Sequence, residues 1–213
     1  MNAFFYLVDF IIHIDTHLGA IIESYEMWTY AILFLIIFLE TGIVLAPFLP
    51  GDSLLFAAGT FAGIGILNPI LLAVLLALAA ILGDTANYRI GYHSSSRIFK
   101  KEAKLLNESY LERPRKFYEK HGKKTIIIAR FIPIIRTFAP FAAGLGKMNF
   151  RQFAEYNILG GILWVTLFVS AGYFFGNIPL VRKNFSLVIL GIILTSIIPT
   201  IFEFVNRMAA KDK

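Results

Sequence analysis

The chain has no cysteine, which excludes disulfides, thiolate metal sites and a cysteine nucleophile but says little about compartment. It also has no lysine or arginine among its first 88 residues, all 20 lying from Arg89 onward. The start, Met1-Asn2-Ala3-Phe4-Phe5, therefore lacks a basic n-region, and its apolar stretch is interrupted by Asp9, His13, Asp15 and His17. It does not read as a cleaved signal peptide. Positions 9, 13 and 17 share one helical face, so residues 1–27 are expected to form an amphipathic helix along a membrane interface. Histidine is scarce as well, with 4 in the chain. These read as surface residues, with a proton relay as the alternative.

What is present is apolar length. The chain has 213 residues, 57% of them hydrophobic, a mean hydropathy of +0.70, and uncharged runs at Ser53–Gly83, Tyr156–Val181 and Asn184–Phe202. A soluble domain of this length has no interior large enough for that surface, whereas runs of roughly 20 residues match the hydrocarbon thickness of a bilayer. The fold class expected is an all-α, multi-pass integral membrane protein. A transmembrane barrel would need alternation of period two, which the runs lack. Residues 1–213 read as one membrane domain, with no room for a separate soluble catalytic module. Residues 97–124 hold ten of the basic residues, and the positive-inside rule assigns such a cluster to the cytoplasm. Nucleic-acid binding is the other reading of a basic cluster, disfavoured by the lack of a soluble reading domain. The apolar residues Ile98, Phe99, Leu105, Leu106, Leu111 and Phe117 between the charges suggest a loop lying on anionic lipid.

The chain repeats itself. At an offset of 81, residues 63–92 match residues 144–173 at Gly63/Gly144, Gly65/Gly146, Asn68/Asn149, Thr85/Thr166, Gly91/Gly172 and Tyr92/Tyr173, among others. Ahead of each copy an apolar stretch is broken by proline, glycine and charge: Glu40 to Gly65, and Arg130 to Asn149. Each has a Phe-apolar-Pro step ending at Pro50 or Pro133, then Ala-Ala-Gly, then Gly-x-Gly-x-x-Asn. The expected supports of the broken backbone are Pro50, Gly51, Pro133 and Gly144, with Gly51, Gly59 and Gly144 permitting turns. Freed backbone groups at membrane depth must be buried in protein or face a water-filled cavity. Two re-entrant hairpins entering from opposite faces satisfy that, and paired interrupted segments point to a transport site near mid-bilayer. Counting sides gives repeat 1 as 28–92, a basic cytoplasmic loop at 93–122, repeat 2 as 123–176 and a last spanning helix at 185–206 with the C-terminus cytoplasmic. Whether residues 28–45 fully span is left open.

Four ionisable residues sit at membrane depth: Glu40, Asp52, Arg130 and Arg136. A charge at the bilayer centre costs roughly 2.5–3.5 kcal/mol on insertion scales, so these groups pair or face water. The functional reading has Arg130 and Arg136 clamping an anionic head group while Glu40 or Asp52 takes up and releases protons. The plainer reading is two neutralising ion pairs. Asp84 and Tyr88 are i,i+4 neighbours on one helix, expected in a supporting role, and Gly83 and Gly91 permit close helix contact. Arg89 is expected to reach the cytoplasmic interface, and Trp28 and Trp164 to pack or anchor.

The combination Glu40-Thr-Gly-x-x-x-x-Pro47-Phe-x-Pro50-Gly51-Asp52-Ser53, Gly83-Asp84-x-x-x-Tyr88-x-x-Gly91 and Ala129-Arg130-Phe131-x-Pro133-x-x-Arg136-Thr-x-x-Pro140-x-x-Ala143-Gly144 resembles the DedA family of bacterial inner-membrane proteins, related to the VTT-domain lipid scramblases of eukaryotes. The resemblance spans roughly residues 25–205. It implies two opposed re-entrant hairpins in the inner membrane and translocation of lipids such as undecaprenyl phosphate or phosphatidylethanolamine, or dependence on the proton motive force. The family's acidic pair falls on Glu40 and Asp52 and its arginine pair on Arg130 and Arg136, with no departure at those four positions.

The function expected is a flippase for a phosphate-bearing lipid, undecaprenyl phosphate first, coupled to protons. A phosphatidylethanolamine scramblase and a proton-coupled cation or osmolyte antiporter are the alternatives. An enzyme is not expected: a lipid phosphatase needs an acid–base group near the arginines, and neither broken segment contains a histidine. A purely structural assembly factor is the remaining class. No metal or cofactor is expected; partners are a membrane lipid and protons, no nucleic acid, with a homo-oligomer left open.

Overall fold

In a computed structural model of the chain, residues 13–25, 27–43, 50–101, 124–192 and 194 are described, and their regular elements are all helices. Asp9, Pro47, most of the basic loop and the C-terminal stretch with Arg207, Lys211 and Lys213 lie outside the described residues. In chain order the helices are α1 (Ile14–Tyr25), α2 (Trp28–Gly42), α3 (Gly51–Gly63), α4 (Pro69–Lys101), α5 (Thr125–Ala129), α6 (Pro133–Leu145), α7 (Phe150–Phe175) and α8 (Pro179–Lys183). Residues 185–192 are helical as well.

Two of these helices are built to cross a bilayer. Pro69–Ser94 of α4 and Phe150–Phe175 of α7 are each 26 residues long with mean hydropathies of 2.2 and 1.9. At 1.5 Å per residue they reach about 39 Å, more than the ~30 Å hydrocarbon core. On α4, Leu72, Leu76, Ala79 and Ala80 are buried while Leu71, Val74, Leu78 and Leu82 are exposed. A helix apolar on its outer face needs lipid there. α3 and α6 have 13 residues each, about 20 Å, and fall short of that thickness. α4 also continues to Lys101, so the expected loop boundary at residue 93 lies inside a helix.

The chain divides into two compact units. The first takes α1, α2 as far as Ile36, α3, α4 as far as Leu76, and α7 from Val165 onward; the second takes α2 from Ile37, α4 from Ala77, α5, α6, and α7 up to Trp164. In the first, Ile14, Leu18 and Ile22 form the buried stripe of α1, which packs on α3. α3 then lies against the end of α7 so closely that a Cβ on Gly172 would meet the Phe56 carbonyl and the Thr60 amide. In the second unit α6 lies equally close to α4: a Cβ on Gly91 would meet the Phe141 carbonyl and the Leu145 amide. Gly91 and Gly172 are repeat partners. Each broken segment therefore packs on the long helix of the other half, backbone against backbone, as small residues permit in membranes. The register differs by one helical turn, since Thr60 corresponds to Phe141.

The turns repeat too, with one substitution of role. After α3, the amides of Gly65 and Ile66 donate to the carbonyls of Ala62 and Phe61, closing a Schellman cap with Gly65 left-handed at φ +82°. After α6, Lys147 and Met148 donate to Gly144 and Ala143, and it is Lys147 that is left-handed, at φ +52°. A side chain in that conformation costs roughly 1–2 kcal/mol. Asn68 and Asn149 then cap α4 and α7, their Oδ1 atoms accepting from the amides of Ile70 and Leu71 and of Arg151 and Gln152. The expected turn glycines are thus reassigned: Gly51 opens α3, and Gly59 and Gly144 lie inside helices. Pro133 is the first residue of α6 and Pro50 immediately precedes α3. Pro133 sits where the amide has no helical partner in any case.

Candidate functional site

The second unit collects the charges. Arg130 ends α5 with helical backbone angles, φ −61° and ψ −27°, and the chain breaks for two residues before α6 begins. That break turns its side chain toward α4 and α7. Nη2 donates to Asp84 Oδ2, to Asn157 Oδ1 and, at 3.4 Å, to the Ala80 carbonyl. Asn157 is itself held by Nδ2 bonds to the Ile81 carbonyl (3.0 Å) and Thr85 Oγ1 (3.3 Å). One turn into α6, Arg136 donates through Nη2 to Glu40 Oε1, and its guanidinium carbon lies 4.8 Å from the centre of the Trp164 ring. A cation over an indole face is attracted by the ring quadrupole, more so when desolvated.

None of this is solvent-exposed. Glu40 and Trp164 are 0% exposed, Asp84 2%, Arg130 3% and Arg136 4%. Buried ion pairs are weak sources of stability, because desolvation offsets the attraction. Breaking one is costly, so the pairs lock the segments in place without driving their folding. A third device aligns them: Asn87 Nδ2 donates to the carbonyls of Thr41 (3.1 Å) and Thr137 (2.8 Å). Those are the residues following Glu40 and Arg136, so one side chain ties both partners of that ion pair to α4.

Two kinds of atom are left over. Arg130 Nε and Nη1 are buried without an acceptor, as is Asn87 Oδ1 without a donor. Nearly all buried polar groups in folded proteins are hydrogen-bonded, so such exceptions call for an explanation. Beside the Arg130 guanidinium are Gly160 and Gly161, where a Cβ would come within 3.5 Å of Nε and 3.1 Å of Nη1 respectively. Glycine at both positions lets α7 close over these donors, since a side chain at Gly161 would also meet Ile81 Cγ1 at 2.8 Å.

The structure brings Glu40, Arg130 and Arg136 together with Asp84, which sequence reasoning placed only in a supporting role beside Tyr88. Tyr88 is one turn along α4 from Asp84, its hydroxyl donating to the Met148 carbonyl. Asp52 belongs to the first unit. It is 8% exposed in the first turn of α3, where a carboxylate is favoured by the helix dipole. Sequence reasoning missed Asn87 and Asn157. The signal available was a polar side chain inside an otherwise apolar spanning helix, and for Asn87 its i+3 spacing from Asp84.

Comparison with known proteins shows which family the chain resembles. The VTT domain matches over residues 49–174. The chain is 52% identical to "Protein DedA" of Escherichia coli (strain K12) over 213 residues, covering 99% of this chain and 97% of that protein. It is 44% identical to an uncharacterized membrane protein of Mycobacterium leprae over 167 residues, 78% of this chain and 75% of that one. The inner membrane protein YqjA of Escherichia coli (strain K12) is 36% identical over 155 residues, 72% of this chain and 70% of that one. No solved structure matches the chain.

Proposed function

This chain belongs to the DedA family of VTT-domain membrane proteins, and from that premise we propose that it is a flippase of the inner membrane for a phosphate-bearing lipid, undecaprenyl phosphate, driven by protons. The observation behind the proposal is Arg130. A guanidinium that is 3% exposed yet keeps Nε and Nη1 without an acceptor is suited to an oxygen-rich anion, and guanidinium is the cation whose fork matches phosphate.

The ion pairs supply a coupling device. Glu40 and a phosphate compete for the same Arg136 donors, so a proton taken up by Glu40 frees the guanidinium for the phosphate. Releasing that proton on the other side restores the carboxylate, which displaces the lipid. Asp84 keeps Arg130 Nη2 occupied and leaves its Nε and Nη1 for the phosphate. Asp52 serves as a second proton site in the first unit. Re-entrant segments from opposite faces suit such a cycle, and the 13-residue lengths of α3 and α6 support that reading. The basic bias after Arg89 supports a cytoplasmic side for residues 97–124 and the C-terminus. One charge moved through 100 mV yields about 2.3 kcal/mol, enough to bias the cycle several-tens-fold.

A second reading has an observation in its favour. Both arginines already have carboxylate partners, as expected if they only neutralise acids that bind a cation in an antiporter. Proteoliposomes separate the two. Undecaprenyl phosphate, phosphatidylethanolamine and monovalent cations are followed with and without a pH gradient, in the wild type and in Arg130→Lys. Gradient-dependent movement of undecaprenyl phosphate that drops at least ten-fold in Arg130→Lys supports the flippase. Cation movement that tolerates the change supports the antiporter, and gradient-independent phosphatidylethanolamine movement supports a scramblase.

A further inference from the structure

We infer that the groove between α4 and the α6–α7 turn is a separate binding site for the phosphate of an anionic phospholipid, held at the membrane surface and not carried across. The groove has a volume of about 400 Å³ and is lined by Tyr88, Arg89, Tyr92, Lys147, Met148, Asn149 and Phe150. Its floor is rigid: Tyr88 is 3% exposed, stacks on Phe153 at 4.4 Å and on Tyr92 at 6.2 Å, and bonds the Met148 carbonyl. Its walls are the half-exposed rings of Tyr92 and Phe150. Arg89 and Lys147, both exposed, supply two cations, and the described lining residues include no carboxylate. Aromatic walls with paired cations fit a phosphate that enters with its glycerol and acyl chains attached, because the rings offer an apolar face to the lipid body.

Position and backbone point the same way. The groove is near the end of the 26-residue apolar span Pro69–Ser94, where a span of that length reaches head-group depth, and the basic residues 97–124 follow in the sequence. Lys147 is the one non-glycine residue with positive φ among the described residues. At the matching turn glycine holds that conformation without strain, so the strained lysine is what sets this turn apart. The repeat does not force the cations either: Ser170 stands at the position matching Arg89, and Ile66 at that matching Lys147. The inference does not depend on what the buried arginines bind.

Purified full-length protein is titrated in detergent with phosphatidylglycerol, phosphatidylcholine or inorganic phosphate, and bound adducts are counted by native mass spectrometry. The wild type is expected to hold phosphatidylglycerol at least five-fold better than phosphatidylcholine and to hold no inorganic phosphate at millimolar concentration. Lys147→Gly and Arg89→Gln are each expected to lower phosphatidylglycerol binding about five-fold. Lys147→Gly also relieves the turn, so its melting temperature stays level or rises, which keeps a binding loss distinct from misfolding. Arg151→Gln is the charge-matched control: Arg151 is 90% exposed beside Glu155 and outside the groove, and its loss leaves binding unchanged. Any of three results overturns the site: full binding in Lys147→Gly and Arg89→Gln together, an equal loss in Arg151→Gln, or inorganic phosphate binding as well as the lipid.

Discussion

The two units are made by the same construction and filled with different chemistry. In each, a short helix from one half of the repeat lies against the Gly-Tyr end of the long helix from the other half, at Gly172 in the first and Gly91 in the second. The first unit fills the contact with neutral polar groups: Thr60 Oγ1 is 3.0 Å from the Phe56 carbonyl and 3.4 Å from that of Gly172, and Asn177 donates to the Thr60 carbonyl at 3.0 Å. The second unit adds the ion pairs Arg130–Asp84 and Arg136–Glu40, with Asn87 and Asn157 bracing them. Duplication supplied a scaffold, and the scaffold does not specify the charges. At the offset of 81, Asp84 corresponds to Val165 and Arg136 to Leu55. What distinguishes the units is a set of buried ion pairs laid over a shared packing rule.

The comparison can be broken or sharpened by substitution. The largest effect is expected for Arg130→Ala, which strands a buried Asp84 and lowers stability by about 3–5 kcal/mol. Chemical unfolding of the purified protein measures this, and adding Asp84→Ala to the same chain should recover most of the loss. A double variant as unstable as Arg130→Ala alone would mean that the pair does not act as a unit. Next come Gly91→Val and Gly172→Val. Each forces a side chain into a backbone contact and should cost about 1–3 kcal/mol by the same measurement. Comparable losses support the shared construction; a tolerated valine at one of them ends the equivalence.

Asn87→Leu should follow, at about 1–3 kcal/mol, since two buried carbonyls lose their donor. It alters no charge, so a loss of lipid movement in proteoliposomes beyond that explained by folded fraction would assign Asn87 to alignment of the Glu40–Arg136 pair. The smallest change is expected for Thr60→Val in the first unit, about 0.5–1.5 kcal/mol, with lipid movement per folded molecule unchanged. Transport lost in Thr60→Val at full folding would assign Thr60 a part in transport beyond packing.

Much of this was legible in the chain itself. Long uncharged runs announced α4 and α7, because a membrane demands continuous apolar length. Proline and charge marked the two breaks, and the repeat made them comparable. Glu40, Arg130 and Arg136 stood out because charge at that depth is expensive. The pairing of Arg130 with Asp84, 46 residues apart, was not legible, since it depends on which faces of α4, α5 and α7 meet. The same holds for Asn87, whose two carbonyl partners come from separate segments. The left-handed residue of the second turn was not legible either, for a local reason. Gly146 is available in the second turn, but α6 runs one residue further before capping, and the strained position falls on Lys147.

The central claim is an exchange in which a carboxylate gives up its arginine to a lipid phosphate by taking a proton. It is tested most directly by measuring proton uptake in weakly buffered detergent solution as undecaprenyl phosphate is added to the purified protein. The account predicts uptake of a proton with each lipid bound, and its loss in Glu40→Gln. Binding without proton uptake, or uptake that persists unchanged in Glu40→Gln, would contradict it.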